Sequence, residues 1–539
     1  MNTYTVAIFA AFIIFIAVGV FMSRSVRNKA DYFVSGRSAG VLLIVGTLVA
    51  SYLSTVAMMG EAGFSYEGFP WLILLIAPLA QGGYLLGVFL FGRYLRRAAT
   101  LTVPEFFGRR YDSRRIQGVA GLMVLVGIGL YLVAVTRGIT LVLAGVTGLD
   151  ETVLLLIVWV AFTLFTIVSG SKGVIVTDTI MFFLFMIAGA GGLLLIIGAA
   201  GGFTDVVTTM ASDEQWRNGL LWHGAVGPDA AVSSPWEAFL YFFLYGIVWM
   251  FVVAVSPWQS SRYMMARTGH VAIRSGTVAM VVIIAFYVLL VFGSYAVNLI
   301  NPAIEPTETV FIWAAQNVLP SWLGVLAVAG VMAAGLSSAS TFLSLVGFSA
   351  VQDVVPWVSK RTATDEQDVR GLKESRLAML AIGFVVLVIT YIASPTVLSI
   401  GYMAASFFAA AWGIVAIAST QSRRMTERGA FYGMILGGGT VLILEGLATF
   451  GGIDLPTALN PVLVSMVASV IGILLGNATS APSAKGLAFL DSVSSPSPED
   501  RDPAEIRRTK AYLAVSAVAM IAIMGGLTWL YVIPMESVV

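Results

Sequence analysis

Within the apolar stretch VMAAGLSSASTFLSLVG, residues 331–347, five side chains carry hydroxyls: Ser337, Ser338, Ser340, Thr341 and Ser344. Placed on a helix, Ala334, Ser337, Ser338, Thr341 and Ser344 fall on one stripe, the i, i+3, i+4, i+7 spacing of a single face. A face of small oxygen-bearing residues suits a packing seam, a water path or an ion site. The ion it would suit is hard, because hard cations take hydroxyl and carbonyl oxygens, with a carboxylate where more charge is needed. Four ionisable residues also lie in apolar surroundings: Asp178 in VIVTDTIMFF, Glu61 in STVAMMGEAGF, Arg137 in YLVAVTRGITL and Glu445 in LILEGLA. Groups of this kind are costly in hydrocarbon and mark candidate functional positions. The chain has no cysteine and only two histidines, His223 and His270, so thiol catalysis and histidine-rich metal sites are excluded. No Ser/His pair or phosphate-binding loop occurs in the apolar segments, and the chain is not expected to be an enzyme.

The elements that position these residues follow from composition. Of 539 residues, 58% are hydrophobic and 11% charged, and mean hydropathy is +0.91. Soluble domains carry about 25% charged residues, so the expected fold is an all-α polytopic membrane protein in contact with a lipid bilayer. A net charge of +1 argues against a nucleic-acid partner. Windows of about 20 apolar residues give about fourteen transmembrane helices. They fall near 5–23, 40–61, 71–92, 116–147, 151–169, 174–200, 236–256, 274–299, 321–351, 375–394, 397–420, 429–450, 460–476 and 511–533. Residues 5–23 lack a basic flank and a cleavage site and read as a first span.

With both termini outside, the loops on the cytoplasmic side hold all but two of the 30 lysines and arginines, Arg262 and Arg274 among them. Arg217 is outside and Arg137 lies within a span. That asymmetry satisfies the positive-inside rule at every loop and makes the chain a multi-pass plasma-membrane protein. Residues 201–235 are expected outside as a short lid, and the Ser/Pro/charge-rich segment 477–510 as a flexible linker. No soluble output domain is visible, which weighs against a solute sensor or receptor built on this body.

A helix supplies backbone carbonyls to an ion only where it unwinds, beside a cavity or inside protein. The stretch GTLVASYLSTVAMMGEAGFSYEGF has the small and polar residues of such a break. Together with DYFVSGRSAG, TVPEFFGRRY, TDTI, SPWQSSRYMMA, AAGLSSAS and VLSIGYMAASFFAAAWG, it resembles the sodium/solute symporters. That family includes the bacterial proline, pantothenate, acetate, sialic acid and galactose carriers. The resemblance covers nearly the whole chain, residues 1–539, as one transmembrane transporter domain. It implies a LeuT-like inverted five-helix repeat, with core repeats at about 40–200 and 236–420. The helix at 5–23 and those at about 429–533 are then peripheral.

The resemblance implies a main sodium site at the carbonyls of Ala50, Leu53 and Ala334 and the hydroxyls of Ser337 and Ser338. A second sodium, held in some members, would use Asp178, Ser340 and Thr341; Met181 departs from the glutamine that relatives often carry there. Cavity-lining positions match Ser54, Thr55, Trp249 and Tyr402. Val56 and Ala57 stand where sugar carriers place a polar pair, so a sugar is not expected. Glu61 aligns with the outer gate region as a solvated vestibule residue. Arg137 reads as a deep group, either a fork for a carboxylate or half of an internal pair with Glu61 or Asp178. If both face the solute, it is a carboxylate or an amino acid. Glu445, outside the ten-helix core, is expected to be paired for structure. The reading is sodium-coupled import of a small organic solute by alternating access, with a proton-coupled carrier or a solute sensor as alternatives. Oligomeric state is not legible.

Overall fold

The computed structural model describes residues 3–23, 33–227, 232–359, 367–392, 396–453, 455 and 459–538, with a few helical positions described by backbone alone. The described residues form helices joined by turns and short loops, with one isolated bridge between Ala39 and Ala266 and no strand among them. Helix α1 is Thr3–Ser23, and the second span is split into α2 (Val41–Tyr52) and α3 (Val56–Tyr66), bent by 52°. There follow α4 (Pro70–Ala98), α5 (Val103–Tyr111), α6 (Arg114–Thr147) and α7 (Glu151–Ala199). Then come α8 (Phe203–Ser212), α9 (Pro235–Val255), α10 (Pro257–Met265), α11 (Gly269–Ala296), α12 (Val310–Asn317) and α13 (Ser321–Ser349). The chain ends with α14 (Gln367–Ile392), α15 (Val397–Gln421), α16 (Glu427–Gly451), α17 (Pro461–Ala478), α18 (Ala484–Ser494) and α19 (Pro503–Leu527).

Eleven single helices are long and apolar enough to cross a membrane, and the bent pair makes a twelfth. Helix α1 and the apolar part of α7 at Glu151–Ile167 account for the two other expected spans. The second of these runs without a break into Val174–Ala199 within α7, so the count of fourteen is approximate. Burial separates core from rim. The apolar window of α13 is 89% buried inside the protein and that of the last helix 11%. Only helices facing other helices can afford a hydroxyl stripe, and α13 is the most enclosed of the candidate spans.

The first helix of each half is interrupted. Leu53 leaves helical geometry at φ −72°, ψ 62°, and Ser256, between α9 and α10, sits at φ −56°, ψ 145°. Pro257 at the start of α10 explains the second break, since it restricts the preceding residue to extended backbone.

One expectation about a loop is corrected. The segment 477–510 is not a loose linker: α18 is capped by Ser483 and buries Leu490 and Val493. It docks on α5, where a Cβ on Gly486 would lie 2.3 Å from the Arg110 carbonyl. Arg97 holds its far end through Asp500 at 2.9 Å. Burial opposes ionisation of Asp500, but Arg97 and the Ser497 donors outweigh it and keep the carboxyl below its usual range. The segment expected as a short lid carries α8 and short helical turns among its described residues. Tyr295 donates to the Trp216 carbonyl at 2.6 Å, and Tyr531 to that of Leu220.

Candidate functional site

The break in the second span frees backbone acceptors. Ser54 N–H donates to Tyr52 O at 2.7 Å instead of to Ala50 O, and Val56 N–H is taken by Ser54 Oγ at 3.2 Å. The Ala50 carbonyl therefore loses its helical partner, and the non-helical ψ of Leu53 turns its carbonyl out of the helix line. Helix α13 passes directly over this break. A Cβ on Gly335 would meet Thr55 Cγ2 at 2.9 Å and Ile139 Cγ1 at 2.6 Å, so only glycine allows the approach. Gly335→Val should cost about 1–3 kcal/mol by overpacking, seen as a lower unfolding temperature of the purified protein; an unchanged temperature would mean the helices are not in this contact.

Along the stripe, every side chain has a defined state. Ser337 Oγ donates to Asp178 Oδ1 at 2.7 Å, and Thr47 Oγ1 donates to Asp178 Oδ2 at 2.6 Å. The carboxylate thus ties α13, α2 and α7 together. Ser340 donates to the carbonyl of Ser337 at 2.9 Å within its own helix. Ser338 Oγ and Ser344 Oγ are buried and close no hydrogen bond. A buried hydroxyl with no protein partner is uncommon, and a water or an ion can complete it.

Arg262, counted from sequence among the loop cations, is buried in α10. Its Nη2 lies 3.3 Å from Asp178 Oδ2 and donates to Thr341 Oγ1. The guanidinium therefore stands among Asp178, Ser337 and Thr341, the region assigned to a second sodium. A cavity of about 30 Å³ lies on the far side of it, lined by Ser261, Thr341, Ser344 and Phe348 among others.

Towards the other end lies a belt of aromatic and amide groups. Gln81 Nε2 donates to Tyr52 OH at 2.6 Å, and Tyr84 OH to Gln259 Oε1 at 3.3 Å. Tyr52 packs edge-on against Tyr84 at 6.3 Å and Trp249 at 5.7 Å. Gln81 Oε1, Gln259 Nε2 and Trp249 Nε1 are buried without partners, which makes an acceptor and two donors for a polar guest. Neither glutamine nor Tyr52 was singled out from sequence. Gln81 inside an apolar span was the available signal. Ser54 and Thr55 are buried at the edge of this belt.

Glu61 is not a solvated vestibule residue. It is 5% exposed and accepts from Tyr245 at 2.7 Å and from Tyr287. The π-helical turn Val56–Glu61 that follows the break rotates it inward, onto α9 and α11. Arg137 is corrected too. It is 23% exposed and pairs with Glu151 at the start of α7, not with Glu61 or Asp178. Glu445 has no basic partner among the described residues. Tyr402 stacks on Tyr245 at 5.3 Å and lines a cavity of about 580 Å³ with Glu308 and Glu445.

The profile of the sodium:solute symporter family matches residues 32–437. The chain belongs to the sodium:solute symporter family. The symporter is 24% identical to the sodium/pantothenate symporter of Escherichia coli strain K12, covering 84% of this chain and 92% of the relative. It is 23% identical to the sodium/proline symporter of Salmonella typhimurium strain LT2, covering 86% and 92%. Among solved structures it superposes on a Na+-coupled sialic acid symporter in a substrate-bound outward-open state, with TM-score 0.72 and 20% identity, covering 90% and 99%. The nucleobase-cation-symport-1 transporter Mhp1 gives TM-score 0.52 at 13% identity, covering 86% of the symporter and 98% of Mhp1. The fold of the symporter is therefore LeuT-like, as expected from sequence, and its relatives are transporters.

Proposed function

We propose that the symporter couples inward movement of one sodium ion to import of a small amino-acid-like carboxylate by alternating access. The observation that carries this reading is Ser338 Oγ, buried without a partner on the helix that crosses the freed Ala50 carbonyl. With Leu53, Ala334 and Ser337 it offers the oxygen set a hard monovalent cation takes. Sodium bound there would fasten the broken span to α13 and complete the pocket formed by Ser54, Thr55 and Trp249. The termini are proposed to lie outside, with the basic loops in the cytoplasm. Proton coupling through Asp178 is the weaker alternative, because three donors already engage that carboxylate.

For a second sodium at Asp178, Ser340 and Thr341, Arg262 would have to withdraw. We read the guanidinium as the standing cation of that position, which favours one sodium per cycle. The solute headgroup is assigned to the unpartnered atoms of Gln81, Gln259 and Trp249. Arg137, tied to Glu151, serves the outer vestibule. Gln81→Ala should therefore raise the transport KM at least tenfold, while Arg137→Gln leaves it within twofold. A reversed pattern would return the carboxylate to Arg137.

The test is uptake into proteoliposomes of radiolabelled L-proline and pantothenate, the solutes named for two relatives, under an inward sodium gradient at zero potential. Accumulation that needs sodium supports the reading. Accumulation that follows a proton gradient and ignores sodium overturns it.

A further inference from the structure

The cavity of about 580 Å³ at the end of the bundle where α3, α9, α15 and α16 meet has no part in the transport cycle described above. Its wall includes Phe64, Tyr241 and Tyr402 and the carboxylates of Glu67, Glu308 and Glu445. Two of those carboxylates are engaged: Glu67 accepts from Thr307 Oγ1 at 2.5 Å, and Glu308 from Val397 N–H at 2.9 Å. Burial raises the pKa of both. Glu445 differs. It is 9% exposed on an apolar helix, and no ion pair reaches it from any described residue; its polar neighbour is the Ser406 hydroxyl.

Beside Glu445 stand Tyr402 and Ser406, one turn apart on α15. Both hydroxyls are buried and close no hydrogen bond. A carboxylate and two hydroxyls thus converge with no cation beside them among the described residues. Keeping this carboxylate charged costs free energy unless a cation meets it. An ammonium group brings one positive charge and up to three N–H donors. The rings of Tyr241 and Tyr402, 6.3 Å apart, add faces that attract cations. The volume falls in the range of small-molecule sites, roughly 300–1,000 Å³, far above what a bare ion fills. Glu445 lies on α16, beyond the ten-helix core, so the site is separate from the stripe on α13.

We propose that this cavity is a second binding site, specific for small organic ammonium ions, with the ammonium seated on Glu445 and Tyr402 and its apolar body against Phe64 and Tyr241. The site does not depend on the sodium reading, and its test is made without sodium.

The detergent-purified full chain is unfolded thermally in KCl with increasing benzylamine, which is cationic at neutral pH, and with benzyl alcohol and benzoate of matching shape. Saturable stabilisation by benzylamine alone is expected, with apparent affinity at least tenfold weaker in Glu445→Gln and several-fold weaker in Tyr402→Phe. Glu445→Asp, which keeps the charge, should retain binding and serves if the glutamine variant fails to fold. Ser338→Ala should bind benzylamine as the unaltered chain does. Equal effects of benzylamine and benzyl alcohol would overturn the proposal. So would unchanged benzylamine binding in both Glu445→Gln and Tyr402→Phe, or no stabilisation by benzylamine at all.

Discussion

Ser338→Ala is expected to raise the sodium concentration for half-maximal stabilisation at least tenfold while leaving the sodium-free protein as stable as before. A factor of ten corresponds to about 1.4 kcal/mol, a modest figure for one oxygen ligand. The second half of the prediction is the diagnostic one. Ser338 Oγ closes no bond in the protein, so alanine removes an unsatisfied buried hydroxyl and takes nothing from the folded chain. Ser337→Ala should behave differently. That hydroxyl also bonds Asp178, and its loss should lower stability with and without sodium. Thermal unfolding with KCl replaced by NaCl at constant ionic strength separates the cases, since a ligand at 100 times its Kd adds about 2.7 kcal/mol. If both alanine variants keep the full sodium response, the ion lies elsewhere.

Arg262→Ala should be among the most damaging single changes in the molecule. It leaves Asp178, fully enclosed, without its countercharge, and breaking a buried pair from one side costs about 3–5 kcal/mol. Pairing it with Asp178→Asn removes the stranded charge, so the double variant should recover much of that loss. The recovered protein would nevertheless transport poorly, because asparagine keeps one acceptor oxygen where Asp178 offers two, and Thr47 and Ser337 can no longer both donate to it. A double-mutant cycle in unfolding free energy measures the coupling; groups in one network typically show roughly 0.5–3 kcal/mol. Strict additivity would mean the two side chains act independently and would remove the argument that Arg262 stands in for a second cation.

Much of the fold was legible because lipid allows few solutions. Spans had to be apolar runs, and a stretch as rich in small and polar residues as 46–68 could not remain one straight helix. The hydroxyl stripe was legible through periodicity alone. What escaped were positions where tertiary packing overrides linear distance. Arg262 sits in SPWQSSRYMMA, polar enough to read as a loop, yet the short helix it begins is folded back into the core. Arg137 lies ten residues from the end of its helix, which suggested depth, but Glu151 at the head of the next helix reaches it. Glu445 was expected to be paired because a buried carboxylate usually is, and only three dimensions reveal that its neighbours are hydroxyls. The segment 477–510 has a linker's composition, and its docking depends on two apolar side chains, Leu490 and Val493.

The Asp178–Arg262 pair also has an electrical meaning. A carboxylate and a guanidinium in contact cancel, so the inner part of the pathway carries no net charge when the carrier is empty. A zwitterionic solute adds none. On the one-sodium reading proposed above, the charge displaced in the loaded step would be that of the sodium ion, and the empty carrier would return without one. Membrane voltage, worth about 2.3 kcal/mol per charge per 100 mV, would act on import and leave the reset untouched, so the protein would pass an inward current of one elementary charge per solute delivered.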